Sequence, residues 1–316
     1  VGGILAVADI LSGLSFGIGP PMIIASIGNF DGVHLGHQAI VAAARKAAGL
    51  QGRVVAVTFD PLPVAVLRPD AAPARLTSSA RREALLLACG CDSVHVLDPR
   101  SGILGESPEG FIEHLRAAVP FGAIAEGADF RFGRGRSGDV ATLADIGSRM
   151  GFKTIEVPEV DEALGDGSII AARSTAVRWL LSMGRVADAA RLLGRAHAVE
   201  GVVERGDQRG RLLGFPTANV MTTGMALPAD GVYAGRAIID GREYPAAISV
   251  GTKPTFGPNA RVCEAHVLGL EAALDSYGWS IEVHFEQWLR SQWRFPNPEA
   301  LIVQLRADVA RTAALA

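Results

Sequence analysis

The chain has 316 residues, a length that implies about two domains rather than one. Hydrophobic residues make up 49% and charged residues 20%, so a sizeable core can form and disorder is excluded as the main state. The formal net charge of −3, from 30 basic and 33 acidic residues, supplies no global field for a nucleic-acid backbone or an anionic membrane, and neither is expected as a partner. From Met22 to about Val157, short β-rich runs alternate with helical periodicity, the pattern of βα units around a parallel sheet. Met22–Ile27, Arg53–Phe59, Ser93–Leu97 and Lys153–Val157 read as strands. Between them Ile40/Val41/Ala44/Ala48, Phe111/Ile112/Leu115/Val119 and Leu143/Ile146/Met150 fall on single helical faces. Two helical segments follow Ser174 and run to about Leu193. The grammar then changes to glycine-punctuated strands: Ile281, Val283 and Phe285 alternate with Glu282, His284 and Glu286, and Asp240-Gly241 is a hairpin-turn signal. Leu301, Ile302, Leu305 and Val309 mark a closing amphipathic helix. The expected fold is α/β, a doubly wound Rossmann-like domain at residues 1–184, followed at 185–316 by a small antiparallel β-barrel with a closing helix, joined through a helix and not a flexible tether.

Cys89, Cys91 and Cys263 are an odd number, and the C-x-C spacing suits neither a redox pair nor a zinc site, so free thiols in a reducing cytosol are expected. Ile10 to Phe30 is uncharged, but Gly13, Gly17, Gly19, Pro20 and Pro21 interrupt it and Asp9 stands where a signal peptide would be positive. It is expected neither to span a membrane nor to export the chain, which points to a cytoplasmic location.

The first strand runs into Gly28-Asn29-Phe30-Asp31-Gly32-Val33-His34-Leu35-Gly36-His37, with a helix after it. The crevice beyond such a strand end is where nucleotides bind in parallel sheets, and a helix N-terminus offers N–H groups to phosphates. His34 and His37, three residues apart, can turn both rings toward one polyphosphate, and Gly36 is expected to leave room for an adenine or ribose. Two further segments fit the same purpose. Asp129-Phe130-Arg131-Phe132-Gly133-Arg134-Gly135 carries arginines in a glycine-rich loop, and Ser174-Thr175-Ala176-Val177-Arg178 puts hydroxyls at a helix start with an arginine one turn on, able to hold a leaving pyrophosphate. In the second half, Gly206 and Gly210 flank Asp207 and Arg209 in a candidate flap over phosphates, while Thr217 and Asn219 offer two neutral oxygens on one face of an extended segment, suited to Mg²⁺ carrying phosphate. The G-K-[ST] ending of a P-loop is missing.

The H-x-G-H pattern after a first strand resembles the nucleotidyltransferase superfamily. Taken with Asp129–Gly135, Ser174–Arg178, the Gly214-Phe215-Pro216-Thr217-Ala218-Asn219 run, Gly231-Val232-Tyr233 and Gly251–Phe256 in the same order, residues 22–311 resemble the bacterial bifunctional riboflavin kinase/FAD synthetases. That resemblance implies a kinase making FMN from riboflavin and ATP, and an adenylyltransferase joining AMP to FMN to give FAD and pyrophosphate. It implies that His34 and His37 act on the ATP phosphates as catalytic groups, with Gly28, Phe30, Asp31 and Gly36 in the same ATP site. Ser174, Thr175 and Arg178 would take the triphosphate end, and Asp129 would sit near the reacting phosphates. In the kinase half it gives Gly206, Gly210, Gly214 and Pro216 to ATP and Thr217 and Asn219 to Mg²⁺ and ATP. Glu264, in Val262-Cys263-Glu264-Ala265-His266, matches the catalytic glutamate. Leu62 stands where relatives commonly carry histidine, so adenylylation is expected to be weakened but not abolished, and the segment from Glu264 to Tyr277-Gly278 is about two residues longer than usual.

The expected partners are therefore small molecules, riboflavin, FMN and ATP, with Mg²⁺ as cofactor; a weak homo-oligomer is left open. A second reading is a nucleotidyltransferase for another small phosphate with a non-catalytic flavin-binding barrel, against which Glu264 and the Thr217/Asn219 pair argue. A third is a flavin-sensing protein without turnover, for which Leu62 is the only support.

Overall fold

The computed structural model describes residues 22–206, 209–252, 261–270 and 276–315. Residues 1–20, Asp207, Gln208 and the Lys253–Phe256 part of the glycine run, together with residues 271–275 of the long segment after Glu264, lie outside the described residues.

The N-terminal unit alternates strands and helices: β1 (Ile23–Ile27), α1 (Leu35–Ala48), β2 (Arg53–Phe59), α2 (Pro63–Leu67), α3 (Ser79–Ala88), β3 (Ser93–Leu97), α4 (Pro108–Ala118), β4 (Ala123–Gly127), α5 (Val140–Met150) and β5 (Lys153–Val157). The five strands form one parallel sheet in the order β3-β2-β1-β4-β5. Val54–Phe59 is buried throughout, as a strand covered by helices on both faces must be. The helices begin at caps the sequence supplies: Ser78, Ser107 and Asp139 each accept a hydrogen bond from a backbone N–H of the first turn. The order reverses at β1, so the crevice between the carboxyl ends of β1 and β4 is the switch point where ligands bind in such sheets.

A short hairpin, β6 (Asp161–Ala163) with β7 (Ile169–Ala171), leads to α6 (Ser174–Ser182) and α7 (Val186–Leu193). Then come β8 (His197–Glu204), a single helical turn α8 (Arg209–Leu212), β9 (Ala218–Met221), β10 (Gly231–Ile239), β11 (Arg242–Thr252), β12 (Arg261–Val267), β13 (Ser280–Arg290) and α9 (Pro298–Ala313). The six strands close into an antiparallel barrel ordered β10-β11-β12-β9-β8-β13. Asp240 and Gly241 form the two-residue turn between β10 and β11, both at positive φ (47° and 74°), which is what the strand twist asks of a tight hairpin.

Val177, Leu180, Leu181, Ala189, Leu192 and Leu193 of α6 and α7 pack in one buried cluster with Val199, Tyr233, Ile248 and Phe285 of the barrel. The 184/185 boundary thus falls in the turn between two helices that share the barrel's core. Further ties bind the two units: the Gln38 amide donates to the Leu193 carbonyl at 2.9 Å, and Arg81 pairs with Glu282. The closing helix departs from the apolar docking expected of it. Leu301, Ile302, Leu305 and Val309 are only half-buried, and the fully buried side chains are Asp308 and Thr312. Arg290 and Asp308, 9% and 2% exposed at their side chains, make a forked ion pair that anchors α9 to β13. Among the described residues no helix is long and apolar enough to cross a membrane. All three cysteines are free; Cys91 and Cys263 are buried, Cys89 is half-buried.

Candidate active sites

The loop after β1 is held in an unusual backbone shape. Phe30 and Val33 take positive φ (46° and 41°), a region a bulky or β-branched residue adopts only when its surroundings enforce it. Two sets of contacts do so. The carboxylate of Asp31, 2% exposed, accepts from the Leu76 and Thr77 N–H groups, and the Arg195 guanidinium donates to the carbonyls of Gly32 and Val33. The result places His34 at the N-cap of α1 and His37 in its first turn, with their rings stacked at a centroid distance of 3.6 Å and the edge of Phe30 against His37.

Both histidines are held neutral. Burial, with the Arg195 and Arg178 charges behind it, lowers His34 to about 4, and burial together with His34 lowers His37 well below the ordinary range. Each keeps a buried Nδ1 with no hydrogen-bond partner among the described residues. Buried polar atoms without partners are costly, and where they border a pocket a bound ligand or water can satisfy them. Both rings face a pocket of about 1110 Å³ at the carboxyl ends of β1 and β4. Gly28, Phe30, Gly36, Asp129, Ser174 and Thr175 also line it, so the structure brings most of the predicted ATP-site residues to one place. Asp129 is exposed there, with the Arg173 guanidinium 3.9 Å away.

Two expectations need correction, and Leu62 takes a place that the sequence did not show. Asp31 and Arg178 do not line the pocket: they pair with each other, and the Arg178 Nε donates to the Ala74 carbonyl. Gly36 does not leave open space, because a Cβ there would lie 2.9 Å from the Ala172 carbonyl oxygen and 3.2 Å from the His34 ring; glycine is required by close approach. Leu62 is 4% exposed and is not part of the pocket wall, although its neighbours Pro63 and Val64 are.

The second site lies on the outer wall of the barrel. Register pairs Glu204 of β8 with Asn219 of β9, Asn219 with Glu264 of β12, and Glu264 with Ser249 of β11. Directly paired residues of antiparallel strands share a face, so these four polar side chains form one row across four strands. Cys263, Ala265 and Val267 alternate into the core. Asn219 is 8% exposed, and its Oδ1 is buried with no partner among the described residues. Thr217, Asn219, Gly206, Arg211, Pro216 and Tyr277 line a small cleft of about 30 Å³. Gly206 and Gly210 are tightly enclosed: a Cβ at Gly206 would strike the Asn219 amide at 2.1 Å, and one at Gly210 the Phe215 carbonyl oxygen at 2.4 Å. That packing, rather than the freedom of a flap, accounts for these glycines. Gly214, at φ 84°, turns the chain toward Pro216, whose carbonyl lies 2.7 Å from the His266 Nδ1.

Arg195, Ser249 and His266 had no signal in the sequence, because each acts through a partner distant in the chain. A family model described as FAD synthetase matches residues 20–169, and one described as riboflavin kinase matches residues 193–316. A "Bifunctional riboflavin kinase/FMN adenylyltransferase" of Escherichia coli (strain K12) is 35% identical over 296 residues, covering 90% of each chain. The protein of that description from Pseudomonas fluorescens is 37% identical over 296 residues, 93% of each chain. Among solved structures, one titled as a macrolide-efflux protein from Streptococcus pneumoniae superposes with a TM-score of 0.82 at 29% identity, covering 93% of this chain and 95% of that one.

Proposed function

The chain belongs to the bifunctional riboflavin kinase/FMN adenylyltransferase family, and from that premise we propose how its two sites divide the work. It phosphorylates riboflavin to FMN with ATP, and it adenylylates FMN to FAD with ATP, releasing pyrophosphate. The observation that carries the division is that each unit has a pocket lined by buried polar atoms with no partner among the described residues: the histidine Nδ1 atoms at the β1/β4 crevice, and the Asn219 Oδ1 on the barrel wall.

In the first site, a phosphate oxygen of FMN attacks the α-phosphorus of ATP, the bond to the bridging oxygen breaks, and pyrophosphate leaves. Neutral His34 and His37 donate hydrogen bonds to the charge that builds on the phosphate oxygens, with Thr175 at the start of α6, while the Ser174 hydroxyl donates to the Asp31 carbonyl at 2.7 Å and so ties that helix start to the histidine loop. Arg195 keeps this pair in place by gripping the loop carbonyls, and Arg178 acts through Asp31.

In the second site the riboflavin hydroxyl oxygen attacks the γ-phosphorus, ADP leaves, and Glu264 takes the hydroxyl proton. The orphaned Asn219 Oδ1, in a cleft that Thr217 also lines, suits a hard cation, and these two would hold Mg²⁺, which would neutralise phosphate charge during transfer.

Incubation of the purified protein with riboflavin, ATP and Mg²⁺, followed by chromatographic separation of the flavins, tests the assignment. FMN appearing first and FAD after it is the expected result; a protein that converts neither flavin overturns it.

A further inference from the structure

Glu126, at the end of β4, has no part in the chemistry above. The register between β1 and β4 stops at Ala25 and Ile124, while β1 continues against β2 to Ile27 and β4 against β5 to Gly127. Past Ala25 the two strands diverge, and the Glu126 side chain occupies the gap. Its Oε1 accepts a hydrogen bond from the Ile27 N–H, which the missing ladder would otherwise leave unpaired, and the Ser26 hydroxyl lies 3.5 Å away. Glu126 is 3% exposed and lines the nucleotide pocket. Its other carboxyl oxygen makes no hydrogen bond to the described residues.

The surroundings distinguish this position from the phosphate end. The histidines stand at the start of α1, whereas a Cβ on Gly127, next to Glu126, would meet the Asp129 carboxylate at 3.3 Å and Ile40, one helical turn beyond His37, at 3.7 Å. We propose that Glu126 is a specificity-determining residue of the adenylyltransferase, whose free carboxyl oxygen hydrogen-bonds an uncharged atom of the ATP nucleoside, a ribose hydroxyl or a base nitrogen. This rests on the adenylyltransferase reading of the pocket. Burial, with Asp129 adding to it, pushes the carboxyl well above the usual range and so favours its protonated form. In its protonated form the carboxyl offers a donor as well as an acceptor, and it repels phosphate less than a carboxylate would. A residue serving only to cap Ile27 would need no contact with the pocket.

The test measures conversion of FMN to FAD by wild-type protein, Glu126→Gln and Glu126→Leu, with ATP and with 2′-deoxy, 3′-deoxy and 7-deaza ATP. Riboflavin phosphorylation on the same preparations reports that the barrel is folded, and a thermal melt matching the wild type reports the same of the N-terminal unit. Loss of a neutral hydrogen bond is worth about 1 kcal/mol, so Glu126→Leu is expected to raise the KM for ATP about 5–10-fold with little change in kcat, while Glu126→Gln stays within about 3-fold. The penalty for one analogue in the wild type should vanish in Glu126→Leu, since variant and analogue remove the same contact. Glu126→Ala, which leaves room for water at the Ile27 N–H, gives the same reading if the leucine variant does not fold. An unchanged KM, or analogue penalties identical in all variants, overturns the proposal. A wild type that makes no FAD from FMN would instead overturn the reading on which it rests.

Discussion

Asp31 and Arg178, 147 positions apart, form an ion pair with side chains 3% and 20% exposed, and through it the loop that carries both histidines is fastened to α6. The sequence places both at the nucleotide, and their sequence neighbours do face it; the pair itself is turned to the back of the site. Removing one member of a buried pair leaves the other charge uncompensated, at a cost of about 3–5 kcal/mol. Arg178→Ala is expected near the low end, because the Leu76 and Thr77 N–H groups still serve Asp31. Asp31→Asn combined with Arg178→Met should recover most of that stability in denaturant titration, and FAD formation with it. A double variant that is stable but inactive would show that the guanidinium reaches the substrate.

His37→Ala is expected to cripple FAD formation and spare FMN formation, because the two sites lie on separate units joined by packing. Loss of one charge-stabilising donor costs about 10²–10³ in rate. The check is the two half-reactions assayed separately with riboflavin and with FMN. A parallel fall in riboflavin phosphorylation would contradict the two-site assignment.

What the sequence made legible, and what it hid, follows from range. β2, β3 and β5 lie where their β-rich runs put them, and the histidine pair, the α6 start and Asp129 converge as a strand–loop–helix motif allows. These are local signals: burial along a run, a cap, a spacing. The barrel row of Glu204, Asn219, Glu264 and Ser249 depends on register between strands far apart in the chain, which no window along the sequence contains. Glu126 sits in β4, just before the Asp129 motif, and its meaning depends on where β1 and β4 part. Asp308 was hidden for a different reason, since a charge on a helix reads as a solvated face until its Arg290 partner is known.

His197 makes the barrel's stability dependent on acid. Its Nε2 lies 2.7 Å from the Ala226 carbonyl, and burial lowers its pKa to about 4. The folded form keeps the ring neutral while the unfolded chain takes up a proton below about pH 6.5, so the unfolded state binds more protons and stability falls as pH drops. Between pH 6.5 and 4 the loss is about 1.4 kcal/mol per pH unit for one such histidine. Denaturant midpoints measured at pH 7 and 5 should differ less in His197→Gln than in the wild type, since glutamine can donate to Ala226 without titrating. Equal pH dependence in the two proteins would assign the acid sensitivity to other groups, His34 first among them.

Glu264→Gln is expected to remove riboflavin phosphorylation while FMN adenylylation continues near its normal rate. Glutamine keeps the side chain's reach beside Asn219 and Ser249 but cannot take the hydroxyl proton. A general base contributes about 10²–10⁴-fold, so turnover should fall by that order with little change in the riboflavin KM. Asn219→Ala should act differently: it removes the orphaned Oδ1 and leaves the carboxylate, so the Mg²⁺ concentration needed for half-maximal rate should rise while the rate at saturating Mg²⁺ falls less. The two variants separate base from ligand because their side chains stand side by side on one row yet reach different partners. If Glu264→Gln phosphorylates riboflavin normally, the proton goes elsewhere, and Glu204, at the other end of that row, is the next carboxylate to replace.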